Sequence, residues 1–324
     1  MFTNSSQVVN VLFTVWAPAA WTLARNALLG DPCTKADATA GPQPPDHPEQ
    51  RSSDVRTTRT LIVSLTAALT LAAPATASAR ALLIDGSTSV FPLMTQLAAA
   101  YHKAKHQPTP KVSQGTSDAG VNDVHTGHVD IGDVSRDPII GSDPKGLVFT
   151  KIARDGICII TSPRNPISNL NQQQVQAIFT GNVREWSEVP GSRMTGPIDL
   201  VDRIASSGTQ DAFQNIFLGP SLKISQSAAA EESNGLVQNK VHVDEHAIGF
   251  VSFAFTGGVN VVGYQGIPCT LRNAKSGQYQ GVRNFWMVTR GVPRGATAKF
   301  ISWITSSKNA IARKIIASQW IPIH

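Results

Sequence analysis

Short apolar runs alternate with amphipathic segments along residues 80–324. The apolar runs, which predict strands, are 81–84, 111–113, 129–132, 156–161, 198–201, 248–255 and 286–289. The segments with helical spacing of apolar residues, which predict helices, are 92–106, 121–126, 172–179, 211–217, 296–306 and 309–318. This alternation predicts an α/β architecture with mostly parallel sheets, in which a ligand binds at the carboxyl ends of the strands.

Clusters of glycine and hydroxyl residues lie at three predicted strand-to-helix junctions. They are Gly-Ser-Thr-Ser at 86–89, Gly-Thr-Ser-Asp-Ala-Gly at 115–120 and Ser-Ser-Gly-Thr at 206–209. A helix start presents unpaired backbone N–H groups, glycine permits close approach of the backbone, and a hydroxyl adds a donor. Three converging clusters would therefore enclose a small tetrahedral oxyanion. Each cluster taken singly is explained equally well by a helix cap, because Ser and Thr are favoured there.

The first 79 residues predict a leader that precedes the folded domain. A basic stretch at 56–59, an uncharged apolar run at 61–73 and the small-residue sequence Ala77-Ser78-Ala79 indicate a Sec-type signal peptide. We assign residues 55–79 to it, with cleavage after Ala79 and export to the periplasm. The apolar run is short for the alternative, an uncleaved membrane anchor. Residues 1–54 are interpreted as an over-extended, disordered N-terminus, since 31–54 are rich in Pro, Asp and Gln.

Charge and cysteine content narrow the possible partners. The chain of 324 residues has a formal charge of +6, and residues 1–79 hold five basic and five acidic residues, so the excess remains after cleavage. The basic residues are scattered without aromatic interleaving, which argues against nucleic-acid binding, whereas a mild excess suits an anionic ligand or merely a basic surface. Cys158 and Cys269 permit one disulfide in an oxidising compartment, or Cys158 is a buried small apolar residue.

Five motifs resemble, in order and in spacing, the phosphate-binding proteins of Pst-type phosphate ABC importers, especially the short members. The motifs are 85–90, 129–132 with Ser135-Arg136, 177–181 with Trp186, Arg203 with 206–209, and 247–251. The resemblance spans residues 81–324 and implies a type II periplasmic binding protein fold, with two α/β lobes joined by crossing hinge strands. It implies lobe I at 80–158 plus 262–324 and lobe II at 159–261.

The resemblance also implies the ligand and its contacts. Inorganic phosphate would bind between the lobes and pass to an ABC permease in the inner membrane, carried by a monomer with no catalytic residues, cofactor or metal. The family's phosphate contacts correspond by position to Thr88, Ser89, Ser117, Arg203, Ser207, Gly208 and Thr209. The first three belong to lobe I and the others to lobe II, so a bound anion would stabilise closure.

One position departs from the longer members of the family. Where they have an aspartate that accepts the proton of hydrogen phosphate, this chain has Arg136, as the short members do. We therefore expect Arg136 to contact the anion, with an ion pair to Asp133 or Asp137 as the alternative. The acceptor role would fall to Asp118 or Asp137 or be absent. An acceptor at this place repels sulfate, which offers no proton. Another oxyanion such as sulfate consequently stays an alternative ligand.

Two other kinds of function match parts of the sequence. Residues 242–246, His-Val-Asp-Glu-His, fit the zinc-peptidase pattern H-x-x-E-H, but their surroundings predict a turn before a strand, and zinc binding needs both histidines on one helix face. A secreted hydrolase of phosphate esters or peptides is the alternative from another class. The chain contains no G-x-S-x-G elbow and no P-loop lysine motif, although a Ser-His-Asp set can assemble from distant residues.

Overall fold

The computed structural model describes residues 80–323, so the predicted extension at 1–54 and signal peptide at 55–79 lie outside the described residues. Within the described range, no helix combines the length and the apolar character that a bilayer crossing requires. The strands of this range form one continuous ten-stranded sheet.

The elements follow one another in the predicted alternation. In lobe I and the first crossing they are β1 (Leu83–Gly86), α1 (Phe91–Lys105), β2 (Lys111–Val112), α2 (Ser117–Thr126), β3 (Ile131–Val134) and β4 (Leu147–Thr161). Next come β5 (Asn169–Leu170), α3 (Gln172–Phe179), β6 (Asp199–Arg203), α4 (Gly208–Phe213), β7 (Ala229–Glu231), α5 (Asn234–Val243), β8 (Ala247–Ser252), β9 (Asn260–Tyr264) and α6 (Leu271–Lys275). The chain ends with β10 (Val282–Arg290), α7 (Gly295–Thr305) and α8 (Ala310–Gln319).

The sheet bends at β4, which belongs to both lobes. In lobe I the strand order is β2-β1-β3-β10-β4, with β1, β2 and β3 parallel and β10 antiparallel to both of its neighbours. In lobe II the order continues as β4-β8-β6-β7, with β6, β7 and β8 parallel and β9 also paired to β4. The predicted parallel sheets are therefore present in both lobes, and antiparallel strands link them.

Helix α1 shows how the apolar pattern builds lobe I. Its buried side chains recur at three- and four-residue spacing, through Leu93, Leu97 and Tyr101, as an amphipathic helix requires. Pro92 lies in its first turn, where the missing N–H costs nothing. The helix ends at His106 in the left-handed conformation, whose N–H is bonded to the carbonyl of His102. Its apolar face packs on the lobe I core together with α7 and α8.

Three clusters of buried apolar residues fill the two lobes, one in lobe II and two in lobe I, and the membership of the first bears on the lobe limits. Val262, Tyr264 and Ala274 pack in the lobe II core, although the sequence assigns 262–324 to lobe I. They do so because β9 pairs with the lobe II end of β4. The limits remain a prediction, and this packing favours a return to lobe I at the start of β10 instead of at residue 262.

Cys158 and Cys269 form a disulfide in lobe II. Cys158 lies in β4 and Cys269 follows β9, with their Cα atoms 5.7 Å apart. Both side chains are also buried in the lobe II core. The sequence left open a disulfide or a buried apolar role for Cys158, and the structure shows both: the cysteines are paired, and they pack as small apolar groups.

Candidate anion-binding site

The three Gly/hydroxyl clusters converge between the lobes. Ser89 Oγ lies 2.9 Å from Thr209 Oγ1, so the first cluster meets the third across the cleft. The second cluster meets the third as well, since Asp118 N donates to the carbonyl of Ser206 at 3.2 Å. Two clusters from lobe I therefore face one from lobe II, as the resemblance implies. We refer to the enclosed group of side chains as the cage.

The lobe I wall of the cage is a chain of buried hydroxyl groups. Ser87 Oγ lies 2.7 Å from Ser135 Oγ, and Ser117 Oγ accepts from the Ser135 N–H at 3.0 Å. All three serines are at most 4% exposed. Thr116 Oγ1, not Ser117, caps α2. Helix capping therefore does not account for the buried Ser117 hydroxyl. Ser87 and Ser135 belong to the recognised motifs, but the sequence did not assign them to the site.

The lobe II wall combines a cap with a close contact. Ser207 Oγ accepts from the N–H groups of Thr209 and Gln210 and so caps α4. Beside it, a Cβ added at Gly208 would overlap Ser117 Oγ and lie 2.9 Å from Ser135 Oγ. Gly208 is therefore required by the approach of the two walls, not by an unusual backbone conformation.

Asn234, the first residue of α5, joins the cage although the sequence gave no reason to expect it. Its Nδ2 donates to Ser89 Oγ at 2.8 Å and to Thr88 Oγ1 at 3.0 Å. Its Oδ1 accepts from the Ser252 N–H at 3.0 Å, which fixes the amide orientation. Asn234 is fully buried. The amide thus holds the lobe I hydroxyls from the lobe II side.

Two buried arginines bring positive charge to the cage. Arg203, at the end of β6, donates to the carbonyls of Glu231 (3.0 Å) and Glu232 (2.8 Å), while its buried Nη1 has no partner among the described residues. Arg283, at the start of β10, pairs with Asp155 of β4 (Nη2 to Oδ2, 2.9 Å). The same Nη2 donates to Ser89 Oγ at 2.8 Å. Arg283 was not predicted.

The positive charge of Arg283 affects the pKa of Arg203. Burial, together with the positive charge of Arg283, lowers the pKa of Arg203 to about 10, while the charge of Asp202 opposes the change. Burial alone disfavours a charge, and a like charge nearby adds to the cost. An anion placed between two such groups would remove both penalties, because it supplies hydrogen-bond acceptors and the opposite charge.

A family model for a PBP superfamily domain matches residues 72–308. The chain belongs to the PBP superfamily. The resemblance to phosphate-binding proteins of Pst importers is confirmed by curated relatives. The chain is 25% identical over 236 residues to the phosphate-binding protein PstS of Borreliella burgdorferi (69% of this chain, 84% of the relative). It is 26% identical over 247 residues to PstS of Bacillus subtilis (75% and 80%).

Solved structures agree with these relatives. A substrate-binding protein assigned to a phosphate ABC transporter of Clostridium perfringens, crystallised with phosphate, matches with a TM-score of 0.70 and 31% identity over 76% of this chain and 100% of that one. An ABC-type phosphate transport receptor from Vibrio cholerae matches with a TM-score of 0.60 and 27% identity over 74% and 99%. The type II periplasmic binding protein fold is therefore confirmed for this member of the superfamily.

The guanidinium of Arg136, which the sequence predicts to contact the anion, binds two carboxylates. Its Nε donates to Asp118 at 2.9 Å, and its two terminal nitrogens donate to the Asp143 carboxylate at 3.1 and 2.7 Å. Nη1 also reaches the Asp137 carbonyl at 3.1 Å. Each nitrogen of this guanidinium thus faces a protein acceptor, because the loop after β3 folds Asp143 back onto it. Arg136 thus forms ion pairs with Asp118 and Asp143, and its expected contact with the anion stays a prediction.

The two expected proton acceptors also have other partners. The Asp118 carboxylate pairs with Arg136 and is half exposed. Asp137 Oδ1 accepts from Asn284 Nδ2 (2.8 Å) and from Trp286 Nε1 (3.1 Å). Neither carboxylate bonds to a cage hydroxyl in the described residues. A third carboxylate, Asp133, is fully buried, and burial raises its pKa well above the usual range.

Proposed function

We propose that this protein captures inorganic phosphate between its two lobes and delivers it to an ABC permease. The observation that carries the proposal is the convergence of three Gly/hydroxyl clusters with buried Arg283, whose charge in turn acts on buried Arg203. Donors and positive charge concentrated in a dry cleft suit a small tetrahedral anion. The names of the B. burgdorferi and B. subtilis relatives, both phosphate-binding, support the choice of phosphate.

We assign the anion contacts to the cage side chains and adjacent backbone. The proposed set keeps Thr88, Ser89, Ser117, Arg203, Ser207, Gly208 and Thr209, and adds Ser135, Asn234 and Arg283. It omits Arg136, whose donors face Asp118, Asp143 and the Asp137 carbonyl. Because the set draws on both lobes, binding would stabilise the closed form.

The protein would act outside the cytoplasm, as a monomer and without catalysis. The predicted signal peptide supports that location. A hydrolase would need a base beside a nucleophilic hydroxyl, and none of the histidines within 80–323 bonds to a cage hydroxyl. A binding protein has no need of such a base.

Calorimetry on the purified protein tests the proposal. Thr209→Val removes a buried hydroxyl at nearly constant volume, and Thr209→Ser keeps it, so the pair separates bonding from packing. A hydrogen bond to a charged group contributes about 1.5–3 kcal/mol, so Thr209→Val should weaken phosphate binding roughly 10- to 140-fold while Thr209→Ser stays near the native value. Failure of the native protein to bind phosphate, or turnover of a phosphate ester, would overturn the proposal.

Sulfate is the second candidate ligand, because Asp118 and Asp137 have other partners. A hydroxyl that accepts the proton of hydrogen phosphate also rotates to donate to sulfate. A cage built from hydroxyls and arginines would therefore discriminate less sharply than one with a carboxylate. Titrations with phosphate, sulfate and molybdate at two pH values decide between them: tight sulfate binding without a phosphate response would reassign the ligand.

A further inference from the structure

Residues of the His-Val-Asp-Glu-His segment at 242–246 have different surroundings in the structure: two bind distant parts of lobe II, and two lie beside Asp199. His242, in the last turn of α5, directs Nδ1 to the carbonyl of Gly258. Glu245 pairs with Arg164 at 3.2 Å. The two outer members of the H-x-x-E pattern therefore have partners away from each other. His246 and Asp244, by contrast, lie beside Asp199 of β6, and ligand atoms of these three residues fall within 4.8 Å of one another.

The backbone around this trio is held firmly. The His246 N–H donates to Asp244 Oδ1 at 2.9 Å. The carbonyl of His246 accepts from the indole N–H of Trp186 at 2.8 Å and from the Asp199 N–H at 3.2 Å. Trp186 is fully buried. Asp199 thus begins β6, Asp244 follows α5 and His246 precedes β8, and backbone hydrogen bonds and a buried tryptophan join these three places.

Gly196 leaves room for the imidazole. A Cβ at this position would lie 2.7 Å from His246 Nε2, and the residue has a positive φ of 90°. The histidine ring therefore occupies space that any side chain at 196 would take. Either ring nitrogen of a neutral histidine can bind a metal.

The charges of the trio have no counter-ion in the described part of the chain. Asp199 and Asp244 form no ion pair there, although Arg164 lies on the neighbouring Glu245. Two carboxylates and an imidazole that share one small space are a donor set for divalent first-row cations, since imidazole suits Zn²⁺, Ni²⁺ and Cu²⁺ and carboxylates bind the same ions. Three protein ligands leave further positions for water.

We propose that Asp199, Asp244 and His246 form a divalent metal site of the zinc class. The site lies at the opposite end of lobe II from the cage, because Asp199 begins β6 and Arg203 ends it. Asp199 also pairs in register with Ala247, so the metal would tie the starts of β6 and β8 together. This proposal does not depend on the identity of the caged anion, and it departs from the expectation of a metal-free protein.

Isothermal titration of the untagged protein with ZnCl₂, in phosphate-free buffer, tests the site. Every protein in the comparison, the native reference included, carries Cys33→Ser, which removes a thiol able to bind zinc. Asp199→Asn alters an exposed residue at constant shape and His246→Gln removes the imidazole. His242→Gln and Glu245→Gln are matched controls, since they alter the same segment and the nearby charge without touching the trio.

We expect one zinc per chain, with affinity reduced about tenfold or more in Asp199→Asn and His246→Gln, and within about threefold of native in both controls. The melting temperature should rise with ZnCl₂ in the native protein and in the controls, but not in Asp199→Asn. Melting curves without zinc check that each variant is folded. If His246→Gln does not fold, the zinc affinity of Asp199→Asn alone tests the site. Absence of saturable binding, native affinity in Asp199→Asn, or equal losses in the controls would overturn the proposal.

Discussion

Arg283 has two contacts, the ion pair with Asp155 and the hydrogen bond to Ser89 in the cage, and a set of substitutions can distinguish their roles. Arg283 is 3% exposed and Asp155 is fully buried, and a single guanidinium nitrogen reaches both the carboxylate and Ser89 Oγ at 2.9 and 2.8 Å. Arg283→Met alone would leave a buried carboxylate without its partner, at a cost of about 3–5 kcal/mol of stability. Loss of binding in that variant would therefore be ambiguous.

Two further variants remove the ambiguity. Exchange of the whole pair, Arg283→Met with Asp155→Leu, replaces two buried charges with apolar groups and should restore most of the stability. If Arg283 contacts the anion, this double variant still loses a charge-assisted bond worth about 1.5–3 kcal/mol, or roughly 10- to 140-fold in Kd. Asp155→Asn instead keeps the arginine and removes its counter-charge, so phosphate should bind at least as tightly as to the native protein.

Urea unfolding and phosphate calorimetry on the same three proteins give the required comparison. The expected order of affinity is Asp155→Asn at or above native, then the double variant well below it. The double variant should recover stability without recovering affinity. If the stable double variant binds phosphate within about threefold of native, Arg283 is a structural half of an ion pair and does not contact the ligand.

Three further outcomes follow from the cage and its supports. Gly208→Ala introduces a methyl group against Ser117, so over-packing of about 1–3 kcal/mol should weaken phosphate binding in calorimetry with little effect on the stability of the free protein. Burial raises the pKa of Asp202 to about 6, above its unfolded value near 4, so the folded state binds more protons in that window. Its contribution to the free energy of unfolding should therefore fall as the pH rises from about 4 to 6, and urea titrations should show this slope diminished in Asp202→Asn. Replacing Cys158 and Cys269 by alanine opens a loop of 111 residues and should lower the free energy of unfolding by about 4–5 kcal/mol in non-reducing urea titrations, whereas an unchanged midpoint would exclude a stabilising disulfide.

The fold could be predicted where elements are long and have a regular apolar period. Each predicted helix and strand overlaps an observed one, and 172–179 matches α3 throughout. The elements that were not predicted are β5, β7, β9, α5 and α6. Two of them have weak patterns, because β5 has two residues and β7 is three residues without a buried side chain. Helix α5 was missed because its buried face consists of Asn234, Val237 and Val241, a stripe too polar and too short to stand out.

The site was predictable where its chemistry is local and was missed where strand register creates it. The Gly/hydroxyl clusters are visible in the sequence because each supplies glycine, hydroxyl and helix start within a few residues. Arg283 and Asp155 are 128 positions apart and meet because β10 and β4 align them as direct partners. The ion pair of Arg136 with Asp143 could not be predicted for a similar reason, since Asp143 returns to it through a loop that no periodic pattern announces.

The distribution of charge in the cage indicates what holds the lobes together. Arg283 has the carboxylate of Asp155 as its partner, whereas Arg203 forms no ion pair among the described residues and faces a second positive charge. The hydrogen bonds across the cleft join neutral groups and contribute only about 0.5–1.5 kcal/mol each, so none of them relieves the repulsion between the buried cations; they are Ser89 to Thr209, Asn234 to Ser89 and Thr88, and Asp118 N to the Ser206 carbonyl. An anion converts that repulsion into two attractions. Closure should therefore depend on the charge of the ligand, and an uncharged tetrahedral molecule of phosphate size should fail to close the lobes.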